Sequence, residues 1–384
     1  MMPSTPDVVV VGAGPAGAAV ALRCAASGHA VELVDRDRFP RAKVCGCCLA
    51  DRGVAALRDL GLGNLVDEGT PLHSVEICTT GRRVELPFRG SVVLSRERLD
   101  HALVEAARDR GVIVHERTRA TVRPDGTVET GHLDTGVETT QAPRIVVVAD
   151  GLDGKALDGH PSFEWTVGGE GRFGAGLGLP AGRIPADAPP EGTLTMIAGR
   201  AGYLGLVRLP DGRLDLAAAL DPVATRRAGG PGPLAARLLA EDGRVDLAEA
   251  VRSARWRGTA RLTRRRRVVD GRIACVGDSS GYVEPFTGEG MSWALVGAGR
   301  LAAIIDRALS EGTSLDAWRA VHAASTRRER IRCRAVALAA RHPVVIHGIV
   351  RTLARIPSIR RRLAGSASGM LSSSSTNLVP GTDS

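Results

Sequence analysis

The chain of 384 residues has no apolar stretch near the roughly eighteen residues that a bilayer crossing needs, so a transmembrane helix is excluded. A leader pattern is absent too: Met1 runs within a few polar residues into an apolar strand, which predicts no secretory signal. The seven cysteines are scattered apart from Cys45, Cys47 and Cys48, and they suggest no disulfide framework. That usage points to a reducing, cytoplasmic setting. No second Cys or His cluster accompanies those three, so no metal site is expected. Aromatic residues make up 3% of the chain and do not interleave with its basic runs. With no recognition motif either, the net charge of +9 is not read as nucleic-acid binding. No internal repeat is present.

What is present is concentrated near the start. Residues 8–17 read Val-Val-Val-Val-Gly-Ala-Gly-Pro-Ala-Gly, a buried strand entering a glycine-rich turn before an Ala-rich helix. Gly12 permits the tight turn, Gly14 lets backbone approach a pyrophosphate, and Gly17 lets the helix pack closely on the strand. The helix N-terminus offers free N–H groups and partial positive charge to phosphates. Asp35 ends the next apolar run, where a carboxylate accepts ribose hydroxyls, and Arg36 follows it. Together these predict a dinucleotide site.

Two further segments extend the pattern. Arg144–Val148 is an apolar strand leading to the acid–glycine pair Asp150-Gly151. Residues 272–290 carry a short strand into Gly277-Asp278, then a loop with Pro285, Gly288 and Gly290, and a long amphipathic segment from Met291 to about Leu309. The ensemble resembles the glutathione-reductase-like FAD enzymes, which include aromatic hydroxylases, flavin halogenases and geranylgeranyl reductases. The resemblance covers most of residues 7–310. It implies FAD as cofactor, with Gly277 and Asp278 at the ribityl and pyrophosphate region, Asp150 and Gly151 nearby, and Arg96 at the start of a helix beside the cofactor. Arg41, Pro285, Gly288, Gly290 and Met291 complete the expected cofactor set.

Within the superfamily, two segments look most like the geranylgeranyl reductases. Pro40–Gly46 is similar to the cysteine–glycine segment that those enzymes place beside the flavin, and Pro285–Gly290 has Glu289 where aromatic hydroxylases more often have glutamine. The reductases' Tyr-x-Trp-x-Phe-Pro motif has its counterpart in Tyr203–Pro210, with Gly205 at the tryptophan position. The halogenases' paired tryptophans are missing, which argues against halogenation. No second dinucleotide motif occurs, so electrons are expected from NAD(P)H without a dedicated domain, or from a separate reductase.

The expected fold class is α/β: a Rossmann-like FAD-binding domain interleaved with an antiparallel-sheet substrate domain and a C-terminal helical arm. Residues 1–70, 96–155 and 261–310 are assigned to the FAD domain, and 71–95 and 156–260 to the substrate domain. Residues 311–365 are read as a helical basic arm and 366–384 as a disordered tail. Residues 326–362 hold eleven arginines and one glutamate. Such an arm fits a helical lid with arginines facing water, or an interfacial element touching anionic lipid, which would put the protein at the membrane periphery.

Cys45 and Glu289 are the catalytic candidates. A thiol beside a flavin can serve as an acid, or be packing alone. Glu289 can be a reactive acid, a helix cap or an arginine partner. Gly288 and Gly290 let backbone reach the ring edge, where the helix N-terminus stabilises negative charge. Arg41 and Lys43 neutralise phosphate or orient substrate. The run Arg264–Arg267 reads as a solvated edge, with an NADPH phosphate clamp as the alternative. Tyr203, Gly205 and Val207 are the substrate candidates on a largely apolar roof, which suits a polyketide- or isoprenoid-like molecule. The reading favours NAD(P)H-supported monooxygenation of that molecule. The alternative is geranylgeranyl-reductase-like double-bond reduction, and a third class is a flavin-fold escort protein without turnover.

Overall fold

The computed structural model describes residues 5–79, 82–168, 171–284 and 289–339, together with the single residue Gly348. Pro285 and Gly288, residues 340–347 and 349–365 of the basic arm and the whole C-terminal tail lie outside the described residues. No helix among the described residues is long and apolar enough to cross a membrane.

A six-stranded sheet runs in the order Val269–Asp270, Ile273–Cys275, Ile145–Val148, Val8–Val11, Val31–Val34, Ile113–His115. All its pairings are parallel except the Val269–Asp270 edge. Both faces are covered, so the strand sequences are continuously apolar rather than alternating. Val8 and Val10 pack among the helices Pro15–Ala26, Arg96–Asp109 and Gly290–Glu311. Val9 and Val11 face the opposite way, toward Val122, Val128, Leu157 and Phe163. Val122 and Val128 belong to a three-stranded antiparallel sheet of Thr118–Val122, Val128–His132 and Glu138–Gln141.

The second large sheet has seven strands, ordered Arg257–Arg261, Phe173–Leu179, Leu214–Leu220, Gly202–Arg208, Thr193–Gly199, Ser74–Thr79, Arg82–Pro87. It is antiparallel throughout except where Thr193–Gly199 runs parallel to Ser74–Thr79. Residues 71–95 thus contribute its far edge from a distant part of the chain. The helices Pro222–Ala228, Pro231–Glu241 and Val245–Arg252 cover its outer face. Leu204, Leu206 and Leu216 turn toward those helices, while Leu194, Met196, Tyr203 and Val207 turn inward. Period-two geometry imposes that split, because successive side chains point to opposite faces.

Candidate functional site

The first strand ends in a turn that its glycines make possible. Gly12 has φ 101°, and a Cβ there would overlap the Ala149 carbonyl oxygen. A Cβ on Gly17 would overlap the Gly12 carbonyl, so Gly17 lets the helix sit against the turn rather than contacting a ligand. Asp35 is fixed by two backbone donors: the Ala13 N–H gives Oδ2 a 2.7 Å bond and the Asp37 N–H gives Oδ1 a 2.9 Å bond. The carboxylate is held at the strand end and 7% exposed.

Around this turn opens a large cavity between the two sheets. Gly12, Gly14, Asp35, Arg41, Lys43, Cys45, Arg96, Asp150, Gly151, Gly277, Asp278, Gly290 and Met291 all contribute to its wall. Its open space is about 1430 Å³ with the mouth to solvent included.

The electrostatics suit a diphosphate. Arg96 grips Asp100 through two bonds of 2.8 and 2.7 Å at the start of a helix capped by Ser95. Arg41 lies 3.5–3.7 Å from the carboxylates of Asp35, Asp37 and Asp100. Its Nε and Nη1 are nevertheless buried without a hydrogen-bond partner among the described residues. Burial, reinforced by Arg41 and Arg96, lowers the Lys43 pKa. Burial also raises the Asp278 carboxyl, against the pull of Arg96 and Lys43. Asp150 is raised by burial too; its Oδ2 accepts from the Ala156 N–H at 3.0 Å, while its Oδ1 has no hydrogen-bond partner among the described residues and lies 3.8 Å from the Arg266 guanidinium. Orphaned guanidinium nitrogens and carboxyl oxygens facing one cavity are the donor and acceptor set that FAD phosphates and hydroxyls require.

Three expected residues sit apart from this cavity. Arg36 is exposed, though near enough to influence Asp150 and Lys43. Val207 is buried in the apolar layer facing the cavity without lining it. Glu289, 7% exposed, makes no side-chain cap bond and lines a smaller second cavity with Arg52, Arg300 and His322. Gly290 borders both cavities.

The Cys45 segment is clamped from several sides. Val44 packs against Gly176 of the roof strand, where any Cβ would crowd it. Arg257 donates to the Ala42 carbonyl at 3.2 Å, and the Leu94 N–H donates to the Cys47 carbonyl at 2.9 Å. Cys45 itself lines the cavity. A hydrogen bond from the Cys47 thiol, opposed by burial and aided by Arg96, pulls the Cys45 thiol down to about 6. Burial holds Cys48 far above the ordinary thiol range.

Above Cys45 the roof presents Leu194, Met196, Tyr203 and Gly205 to the cavity. Gly205 faces Met196, whose sulfur would stand 3.2 Å from a Cβ placed there. Where the reductase motif has tryptophan, this wall therefore has the Met196 thioether packed over a glycine. Tyr203 is held by a buried ion pair that sequence reading missed. Arg172 donates to Glu284 at 3.0 Å, the two side chains are 4% and 2% exposed, and the guanidinium lies 5.6 Å from the Tyr203 ring centre.

The Arg264–Arg267 run needs a correction, for it is not a simple solvated edge. Arg264 and Arg266 sandwich the Trp165 ring at 3.9 and 4.0 Å. Arg264 donates to the Leu152 carbonyl and Arg266 to the Ser279 carbonyl, so the pair ties together the two loops that carry Asp150 and Asp278. Only the alternate residues, Arg265 and Arg267, face solvent. Sequence reading also missed Asp215, a half-buried acid on the roof strand whose Oδ2 is buried with no hydrogen-bond partner among the described residues. Its only signal was one carboxyl within the run Leu214–Leu220. Among the described residues no cluster of three or more metal-ligating side chains occurs.

Known proteins share both the dinucleotide segment and the wider fold. The FAD binding domain family matches residues 5–161, which carry Gly12 through Asp150. The match covers less than half of the chain and is to an FAD-binding domain. Menaquinone reductase of Mycolicibacterium smegmatis is 37% identical over 154 residues, 38% of this chain and 37% of that protein. Squalene monooxygenase of Rattus norvegicus is 30% identical over 87 residues, 22% of this chain and 15% of its own length. These matches thus span well under half of the curated relatives. Among solved structures, a flavoprotein/dehydrogenase from Cytophaga hutchinsonii superposes with a TM-score of 0.78 at 16% identity, covering 95% of this chain and 92% of that one. That likeness extends the shared fold across both sheets.

Proposed function

We propose that the chain is an FAD-dependent reductase that saturates a carbon–carbon double bond of a hydrophobic, isoprenoid-class substrate. One observation carries the reading: a thiol tuned to within about a unit of neutrality stands on the wall between the dinucleotide cradle and the apolar roof. A general acid works best when its pKa lies near the working pH. Oxygen transfer needs no such acid from the protein, whereas reduction must place a proton on the second carbon. The molecules for which two relatives are named, menaquinone and squalene, are both isoprenoids, which supports the substrate class.

Bound FAD supplies the hydride. The chain's own residues do the rest. Gly12, Gly14 and the following helix N-terminus bind the pyrophosphate, assisted by Arg41 and Lys43, and Asp35 takes the ribose hydroxyls. Asp150, Gly277 and Asp278 hold the ribityl end. Leu194, Met196 and Tyr203 exclude water from the substrate, with Met196 packed over Gly205. Cys45 holds the proton at its sulfur. NAD(P)H, or a separate reductase, is the proposed electron donor.

The second reading is NAD(P)H-supported monooxygenation on the same roof, favoured by the squalene monooxygenase match. Oxygen uptake during NAD(P)H oxidation with a polyprenyl quinone or squalene separates the two. Under reduction, product forms at the same rate in air and under argon. Product that appears only in air, with stoichiometric oxygen uptake, establishes monooxygenation instead.

A further inference from the structure

Asp150 is an acid on the wall of the dinucleotide cavity, and its side chain is only 11% exposed. A Cβ on Gly154 would overlap its carboxyl, so the turn after Asp150 closes directly over that group. Burial favours the neutral acid, and a diphosphate bound nearby adds repulsion to the ionised one. A carboxylate that accepts cofactor hydroxyls in this place needs a counter-charge. The ionisable groups that face it among the described residues are Arg36, Cys275 and Arg266. Arg36 is exposed, so solvent screens its charge. Cys275 is a buried thiol pushed up to about 12, and therefore neutral. That leaves Arg266.

The Arg266 side chain is 2% exposed and stands outside the residues that line the cavity. Its Nη2 lies 3.8 Å from Asp150 Oδ1. That separation is an ion pair but too long for a hydrogen bond, and neither atom has a hydrogen-bond partner among the described residues. The rest of the guanidinium is committed elsewhere. Its Nε donates to the Ser279 carbonyl at 2.6 Å, and its Cζ stands 4.0 Å from the centre of the Trp165 ring. Ser279 follows Asp278, and its hydroxyl donates to the Val148 carbonyl at 2.9 Å, two residues before Asp150. Arg264 stacks on the same ring at 3.9 Å and donates to the Leu152 carbonyl, two residues after Asp150. A ring and a carbonyl thus fix the guanidinium plane, and the edge carrying Nη2 is turned to the acid.

We propose that Arg266 is a positioning residue of the cofactor site: it supplies the counter-charge to Asp150 from behind the cavity wall and, through Ser279, holds the Asp278 loop at a fixed spacing from that acid. This role rests on the reading that the cavity holds FAD, and on neither of the two reactions. An ionised Asp150 accepts hydrogen bonds from cofactor hydroxyls more strongly than a neutral one. FAD affinity is therefore present in full above the Asp150 pKa and is lost as pH falls through it. Taking away the positive charge raises that pKa, so the loss begins at a higher pH. Stacking on Trp165 alone has no such signature.

The test is the FAD affinity of the deflavinated full chain, read by flavin fluorescence between about pH 5 and pH 9. Arg266→Gln removes the charge and keeps an amide to donate to the Ser279 carbonyl. It is expected to bind FAD about tenfold more weakly near pH 6, to approach the wild type near pH 9, and to move the fall in affinity up by about one pH unit. Arg266→Lys restores the wild-type profile. Arg264→Gln disturbs the same ring without touching a charge that acts on Asp150, so any weakening is equal at every pH. In an Asp150→Asn background, Arg266→Gln changes affinity less than about twofold. An Arg266→Gln profile parallel to the wild type, or one shared by Arg264→Gln, overturns the proposal. Thermal melts give an arm that needs no cofactor: the losses in Asp150→Asn and Arg266→Gln should sum to more than the loss in the double variant. Full additivity also overturns the pairing. If the wild type binds no FAD at any pH while the melts are non-additive, the Arg266–Asp150 pair stands and the cofactor reading fails.

Discussion

The two walls of the cavity were built by different kinds of sequence information. The dinucleotide wall is made of short, contiguous motifs in which each residue does its work beside its chain neighbours. Gly12, Gly14 and Gly17 lie within one turn, and Asp35 is pinned by the N–H of Ala13 at the end of the adjacent strand. The roof wall is assembled across distance. Arg172 pairs with Glu284, and Val44 packs against Gly176, from segments far apart in the chain. The first wall is therefore expected to fail all at once when one backbone position is blocked. The second should fail by degrees.

The sharpest way to break this contrast is Gly14→Val. Its Cβ would point toward the Arg41 and Arg96 guanidinium groups, where the phosphates must pass. The variant is expected to fold but retain no flavin, read as loss of FAD absorbance after gel filtration. Normal yellow protein would show that the turn does not carry the cofactor.

On the roof side, Arg172→Met leaves the Glu284 carboxylate buried without its partner. Breaking a buried pair costs about 3–5 kcal/mol, which urea unfolding would read as a lower midpoint. A loss below ~1 kcal/mol would mean that water reaches Glu284 and that Tyr203 is held by something else.

Asp278→Ala returns to the cofactor wall at a point of side-chain rather than backbone contact. Loss of one charged hydrogen-bond partner should weaken FAD binding by ~1–3 kcal/mol, measured by flavin fluorescence on dilution. Unchanged affinity would reduce Gly277-Asp278 to a strand-ending turn.

The smallest effects come from the arginine run. Arg265→Ala, at an exposed position, is expected to change stability by less than ~0.5 kcal/mol. Arg266→Ala should cost more in a parallel thermal melt, because it removes the Trp165 stacking and the bond to the Ser279 carbonyl. Equal melts for the two variants would restore the solvated-edge reading.

These contrasts also explain what could be read in advance. The parallel sheet, its turn and its terminal acids were legible because strand, glycine spacing and carboxylate form a local pattern. The roof was legible only in parity. Its strands are apolar on both faces, since helices cover one side and the cavity the other. Alternation therefore separates Leu204 and Leu206 from Tyr203 and Val207 without saying which pair faces the ligand. Asp215 and the Arg172–Glu284 pair left no local trace, because a lone acid in a strand becomes informative only when its distant partner is known. The arginine run misled for a related reason. Charge density predicts exposure on average, but strand alternation turned every second arginine inward onto Trp165.

The central claim is that the Cys45 wall delivers a solvent-derived proton to a substrate reduced in the same cavity. An anaerobic single turnover tests it most directly, using photoreduced, FAD-loaded enzyme and a polyprenyl quinone in deuterium oxide. The account predicts a product two hydrogens heavier in formula, with one deuterium on a formerly olefinic carbon, and a rate that falls at least tenfold in Cys45→Ser while flavin reduction is unaffected. A product formed only when oxygen is admitted, carrying one oxygen atom and no deuterium on carbon, would contradict it.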